Sequence, residues 1–264
     1  MDLDERPFTM TNQEIFEIAR QQSAYDCNCK PDDFLQSENI VVRSKKDPRA
    51  RKYLPLPLAC DLVSYGNNTV AQVSERLFDA VYGYIERFPA PRCFETPHLY
   101  ELNDILKPFG QKICFMAEYF LPDTALLKAL PCACRVEILH PPDFAELYMD
   151  LWSNALSKTR REDDVLAVGA YDGDQLIGLA GCSADCQTMY QIGVDVLPVY
   201  RNRGIASALT SRLACEILAI GKVPFYCAAW SNVGSVRNAI RSGFRPAWVE
   251  VTARGCEFVD QLNK

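Results

Sequence analysis

The sequence predicts an α/β protein built on a mixed sheet, and three observations carry that prediction. An alternating apolar strand (Ile192, Val194, Val196) runs through a Leu197-Pro198 turn and a basic, glycine-containing loop straight into a helix over Ser207 to Ile220. Two strand-length runs, Val165 to Tyr171 and Gln175 to Cys182, flank Asp172-Gly173-Asp174, a hairpin turn in which glycine accepts positive φ. A further apolar run, Val223 to Ala229, leads through Trp230-Ser231-Asn232 into a second helix that Gly243 closes as a C-terminal cap.

The remaining elements of the C-terminal half fall into place around these. Ala133 to Leu139 reads as a strand. His140-Pro141-Pro142-Asp143 then reads as the start of an amphipathic helix carrying Phe144, Leu147, Tyr148, Leu151 and Trp152, because Pro and Asp suit the first turn. The charged stretch Lys158 to Asp164 reads as a loop, and Met189 to Val196 as the strand that feeds the basic loop. A last strand covers about Ala247 to Ala253, which completes the order β-α-β-β-β-α-β-α-β.

The segment with most chemistry is Tyr200-Arg201-Asn202-Arg203-Gly204-Ile205-Ala206. The first amides of a helix lack intrahelical partners, and the helix dipole adds positive potential where they point. Gly204 lets the backbone approach a phosphate closely, while Arg201 and Arg203 bring charge and forked donors. Strand, loop and helix in this order resemble motif A of the GNAT (GCN5-related) N-acetyltransferases, Arg/Gln-x-x-Gly-x-Gly/Ala. Asn232-x-x-Ser235 through Gly243-Phe244 resembles that family's second segment, and the likeness extends over about residues 133 to 254.

The resemblance implies a GNAT-type acyl-CoA N-acyltransferase fold that uses acetyl-CoA as acyl donor, with no metal. It implies that backbone groups of Val194 and Val196 bind the pantetheine arm, with a splayed strand edge leaving room for it. Arg201, Asn202, Arg203, Gly204, Ile205 and Ala206 would cradle the pyrophosphate. Asn232 and Ser235 would complete the cofactor site, and Asn232 reads equally well as a helix N-cap. Two family positions are altered. Gln191 stands where many members carry a glutamate base, and Ala239 where many carry a tyrosine that protonates the leaving thiolate. That leaves water held by Gln191 and Tyr190, or Asp195 on the same strand parity as Gln191, as catalytic candidates.

Composition narrows the partners. The net charge of −6 argues against nucleic acid, whose binders present a basic face. Glu118, Asp123 and Lys128 break the most apolar region well short of a membrane span, and the acidic N-terminus lacks a signal-peptide core. The expectation is a cytoplasmic enzyme with no membrane or nucleic-acid partner, acting on a small-molecule or peptide amine. Twelve cysteines in 264 residues are too sparse for a disulfide scaffold. Cys27-x-Cys29 and Cys132-x-Cys134 lack the usual C-x-x-C zinc spacing and lie about a hundred residues apart, so thiols packed as small core residues are favoured over a zinc scaffold.

A boundary near Leu121 to Pro131 divides the chain into 1–130 and 131–264. The first part echoes the second: Tyr65 to Phe109 and Tyr200 to Phe244 both span 44 residues, and Asn67/Asn202 and Ala71/Ala206 share an offset of 135. On this pattern Tyr65 to Ala71 precedes a helix over Val70 to Ile85, and Lys107-Pro108-Phe109 closes another ahead of a strand over Lys112 to Phe120. Two readings follow: a tandem protein whose degenerate N-terminal GNAT-like half has lost its phosphate loop and shapes the acceptor cleft, or a coincidence of four matches over about fifty positions. Three functions remain in play: an N-acetyltransferase, a CoA-binding regulatory pseudoenzyme on the same fold, and a thiol or zinc scaffold. The first is the principal expectation.

Overall fold

The computed structural model describes residues 8–264. In chain order the helices and strands are α1 (Asn12–Cys27), β1 (Ile40–Arg43), β2 (Cys60–Ser64), β3 (Val70–Val73), α2 (Phe78–Arg87), α3 (Thr96–Leu106), β4 (Gln111–Pro122) and β5 (Arg135–Leu139). There follow β6 (Asp164–Asp172), β7 (Gln175–Ser183), β8 (Met189–Val196), α4 (Ile205–Ala219), β9 (Val223–Ala229), α5 (Val233–Arg241), β10 (Phe244–Gly255) and α6 (Cys256–Leu262). The architecture is mixed α/β with mostly antiparallel strand pairs.

Two compact units share these elements. One comprises the segment up to Ile18 with Phe120–Pro246, the other Ala19–Tyr119 with Ala247–Lys264. The partition differs from a single cut after residue 130, because α1, β4 and β10 each carry chain from one unit into the other.

In the unit that contains the basic loop, β5, β6, β7 and β8 pair antiparallel in sequence order and β9 joins β8 in parallel. Helix α4 is rich in Ala and Leu, and it buries Ala208, Leu209, Leu213, Ala214, Ile217 and Leu218. It meets the sheet where a side chain is missing: a Cβ on Gly178 would lie 3.0 Å from Ile205 and 3.1 Å from Leu209. The opposite face carries a second core of Leu139, Phe144, Trp152, Ala155, Leu156, Ala167 and Leu179.

The amphipathic helix expected after His140 does not form. Phe144 and Trp152 are buried, but by a run of tight turns: the Asp143, Leu147 and Trp152 amides each donate to a carbonyl three residues back. Pro141 and Pro142 remove two donors, and the Asn154 and Ala155 amides, which a continuing helix would need, go to Asp195 instead.

In the other unit β3 lies between β1, parallel to it, and β2, antiparallel to it, while β10 flanks β2. Here the helix expected over Val70 to Ile85 is corrected. Val70–Val73 is a strand with all four residues buried, and α2 begins only at Phe78. Pairing on both sides outweighs the local helical spacing. Ala71 therefore stands in a strand and Ala206 in a helix, so the 135-residue register does not superpose equivalent elements. The helix and strand expected around Lys107 to Phe120 are present as α3 and β4.

The core of this unit, from Cys60 and Leu62 to Val251 and Ala253, also encloses charge. Arg51, 2 % exposed, pairs with Asp26 at 2.7 Å and Glu250 at 3.7 Å, with its guanidinium 5.4 Å from the Trp248 ring. Asp61 accepts hydrogen bonds from Thr252 Oγ1 at 2.7 Å and Gln72 Nε2 at 3.1 Å, and burial pushes its carboxyl up to about 7.

Candidate functional site: an anion-binding helix terminus beside a splayed strand

Strand β8 ends at Val196, and the Leu197 amide still donates to Ile177 of β7 at 2.9 Å. A short 3-10 turn, Pro198–Tyr200, redirects the chain into the loop. Two residues there take left-handed backbone conformations, Asn202 (φ 62) and Gly204 (φ 82), which asparagine and glycine tolerate best. Gly204 is the N-cap of α4, and no side chain caps the helix. The Ala208 amide, bonded to Gly204 O at 3.0 Å, opens the intrahelical ladder, so the amides of Ile205, Ala206 and Ser207 have no partner within the helix. No neighbouring atom lies within 4 Å of where a Gly204 Cβ would stand, which leaves room for a ligand against the backbone.

The two loop arginines part company. Arg201 Nε donates to Val196 O at 3.0 Å, which fixes the stem of the side chain beside the strand end. Arg203 lies over the Tyr200 ring, 5.3 Å from its centroid. Tyr200 in turn donates to Asp172 at 2.8 Å, a bond that raises its phenol pKa.

The strands open at this point. Pairing of β8 with β9 runs from Met189↔Val223 to Ile192↔Tyr226, and Gly193 to Val196 continue without a partner on that side. Into this gap opens a cavity of about 450 Å³, within the range of small-molecule sites. Val194, Val196, Arg201, Asn202, Gly204, Ile205, Ala206, Asn232 and Ser235 all line it, so the structure gathers nine of the ten residues singled out as cofactor-binding. Arg203 stands outside that lining.

Helix α5 forms the facing wall. Asn232 is its N-cap, accepting from the Ser235 amide at 3.1 Å, and it lines the cavity as well. The two helices are tied by a buried chain: Ser207 Oγ donates to Asn238 Oδ1 at 3.0 Å and Asn238 Nδ2 to Thr210 Oγ1 at 3.0 Å. Ala239 is fully buried and presents nothing to the cavity. A phenol enters from β9 instead. Tyr226 lines the space, bonds Ser235 Oγ at 2.8 Å and has its pKa raised by burial.

Strand alternation places Gln191, Gly193 and Asp195 on the face opposite α4. There the backbone of Asn154 and Ala155 crosses the sheet over two glycines. A Cβ on Gly193 would stand 1.8 Å from Asn154 O, and one on Gly181 2.1 Å from Ala155 O. Asp195 fastens this strap by accepting from Asn154 N (2.9 Å), Asn154 Nδ2 (2.6 Å) and Ala155 N (3.0 Å). Its carboxylate is thus engaged in positioning the strap.

Gln191 sits elsewhere, in a smaller cavity of about 150 Å³ with Ser157, Arg160, Asp164 and Ser183. Its amide donates to Cys227 Sγ at 3.0 Å. Asn154 lines both cavities. Asp164 has a carboxyl pushed up to about 6 by burial, opposed by a hydrogen bond from the Ser157 amide at 2.8 Å. Arg160 is ion-paired with the buried Asp185, which also accepts from Ser183 Oγ at 2.7 Å.

Sequence reasoning missed Asn154, Tyr226, Arg237 and Arg241, all of which line the larger cavity. Only the two arginines, four residues apart on one helix, left a signal in the sequence. Among the described residues no group of three or more His, Cys, Asp or Glu is placed to hold a metal ion, and the cysteines are free thiols. No described helix is long and apolar enough to cross a membrane.

A splayed strand beside an uncapped helix N-terminus has the geometry that suits an extended, anionic ligand. Residues 128–244 match the model of the Acetyltransferase (GNAT) family, less than half of the chain but all of this site, and that segment is a GNAT domain. No curated protein matches the sequence. Among solved structures the chain is similar to a GCN5-related N-acetyltransferase from Kribbella flavida (17 % identity, TM-score 0.45, 60 % of this chain and 66 % of that one). It is also similar to a GCN5-related N-acetyltransferase-like protein from Streptococcus suis (16 %, TM-score 0.44, 61 % and 69 %). A third is a tandem GNAT protein from the clavulanic acid biosynthesis pathway (13 %, TM-score 0.40, 58 % and 57 %). The chain thus spans 57–69 % of the length of these three structures.

Proposed function

We propose that residues 131–264 form an acetyl-CoA-dependent N-acetyltransferase that passes its acyl group directly to a primary amine of a small molecule or peptide. The observation that carries this reading is the 450 Å³ cavity, in which free α4 amides and Arg201 meet the unpaired edge of β8. Free amides and a guanidinium suit a pyrophosphate. An unpaired strand edge suits the amides of a pantetheine arm, which would lie along Gly193 to Val196.

Chemistry then needs an oriented thioester, a neutral amine and a place for the charge. The amine nitrogen bonds to the thioester carbonyl carbon, the C–S bond breaks, and the sulfur leaves as thiolate. A backbone amide near Val196 polarises the carbonyl. Tyr226, kept protonated by burial, faces the cavity and takes the proton-donor role that Ala239 leaves vacant. The amine approaches from the smaller cavity, where Gln191 holds water to receive its proton. Asp164 is ionised there at neutral pH and attracts an ammonium group. At ~30 Å³ per liquid water, that space admits an amine headgroup and little more.

One observation favours a CoA-binding regulatory protein instead: the glutamate base of the family is replaced by Gln191, whose amide is held by Cys227, and the Asp195 carboxylate is engaged by the strap. Thiol release from acetyl-CoA across a broad panel of primary amines separates the two readings. Amine-dependent release that Arg201→Ala abolishes supports transfer. Saturable acetyl-CoA binding with no release on any amine supports regulation.

A further inference from the structure

Arg201 and the free α4 amides suit one phosphate cluster, and the cavity carries further positive charge beyond them. Its charged lining consists of Arg201, Arg237, Arg241 and Asp195, and the Asp195 carboxylate accepts three hydrogen bonds from Asn154 and Ala155. Arg203 is turned away onto Tyr200. Two of the three cationic side chains that remain therefore come from α5, on the wall facing the loop.

Arg237 and Arg241 are the only charged residues of α5. Their spacing of four puts them on one face of the helix, with Cβ atoms about 6 Å apart. Both are exposed, and neither makes an ion pair or hydrogen bond with another described residue. Arg241 in the last turn complements the helix dipole, but Arg237 in mid-helix gains nothing from it. Two forked donors at that separation, without a protein partner, match a phosphomonoester, which carries about −2 at neutral pH and three acceptor oxygens.

We propose that Arg237 and Arg241 form a subsite for the terminal 3′-phosphomonoester of the acyl donor. The pair would make the protein selective for 3′-phosphorylated nucleotide thioesters over those that lack this group. The inference rests on the acyl-CoA reading of the cavity and adds to it the residues that choose the donor.

Calorimetric titration of CoA and of 3′-dephospho-CoA tests it, using wild type and Arg237→Gln, Arg241→Gln and double variants. Both positions are exposed and outside any ion pair, so the variants keep the fold, which circular dichroism checks. Wild type should bind CoA about 10- to 100-fold more tightly than dephospho-CoA, roughly tenfold per charge-assisted contact. The double variant should bind both ligands equally, with its affinity for dephospho-CoA unchanged. Wild type that binds the two ligands alike, or variants that lose both in parallel, overturns the subsite while leaving the acyl-CoA reading intact. Failure of wild type to bind either ligand overturns both.

Discussion

Replacing Gly193 by alanine tests how the two faces of β8 are coupled. The new methyl would stand 1.8 Å from Asn154 O and 2.7 Å from its carbonyl carbon. Contacts of this kind below 3.0 Å are essentially never seen, so the carbonyl must retreat by 3.0 − 1.8, about 1.2 Å. That carbonyl belongs to the strap held by Asp195 through bonds of 2.6, 2.9 and 3.0 Å. A retreat of this size breaks at least two of them. Hydrogen bonds to a charged group contribute about 1.5–3 kcal/mol each, so Gly193→Ala should cost about 3–6 kcal/mol. At 2–4 °C per kcal/mol for a chain of this size, Tm should fall by about 10 °C. Differential scanning calorimetry reads the loss directly. An unchanged Tm would refute the reasoning, because it would mean that the strap does not rest on the strand. In the folded fraction the acceptor KM should rise, since Asn154 lines both cavities.

The same substitution should have the opposite sign at Gly83. This residue is exposed within α2, and a Cβ there meets nothing within 4 Å, so Gly83→Ala should stabilise by about 0.5–1 kcal/mol in urea unfolding. Asp61 sets a pH dependence. Burial raises its carboxyl to about 7 from an unfolded value near 3.8, so the native state binds the extra proton. The stability it contributes is fully present below pH 3.8 and is lost as pH rises through 7. Asp61→Asn should remove this decline, worth on the order of 4 kcal/mol, and a flat stability ratio of variant to wild type from pH 4 to 8 would refute the assignment. Tyr226→Phe should lower kcat about 10- to 100-fold with little effect on the KM for acetyl-CoA, whereas an unchanged kcat would remove Tyr226 from the proton-donor role.

What the sequence revealed and what it hid follow from the range of the interactions. The path from Ile192 through Pro198 and Gly204 into α4 was legible because each step is local: strand alternation, a proline turn, a glycine at positive φ, an apolar helix. Asn232 at the start of α5 was legible for the same reason. Val70–Val73 was misread because its strand character comes from β1 and β2, up to 30 residues away in register (Ile40↔Val70). The segment from Phe144 to Trp152 has helical spacing, but its fate is decided by Asp195, 41 residues beyond Asn154. Tyr226 looked like an ordinary buried strand residue. Its place in the site depends on β8 and β9 parting after Ile192, which no spacing encodes.

The central claim is that the cavity beside α4 holds acetyl-CoA, and calorimetric titration of acetyl-CoA tests it most directly. The ligand should bind wild type saturably at one site. The Arg201→Ala, Gly204→Glu double variant, whose fold circular dichroism verifies, should bind at least tenfold more weakly, since it loses a guanidinium and gains an anion at the helix terminus. No binding by folded wild type, or equal binding by the variant, would contradict the account.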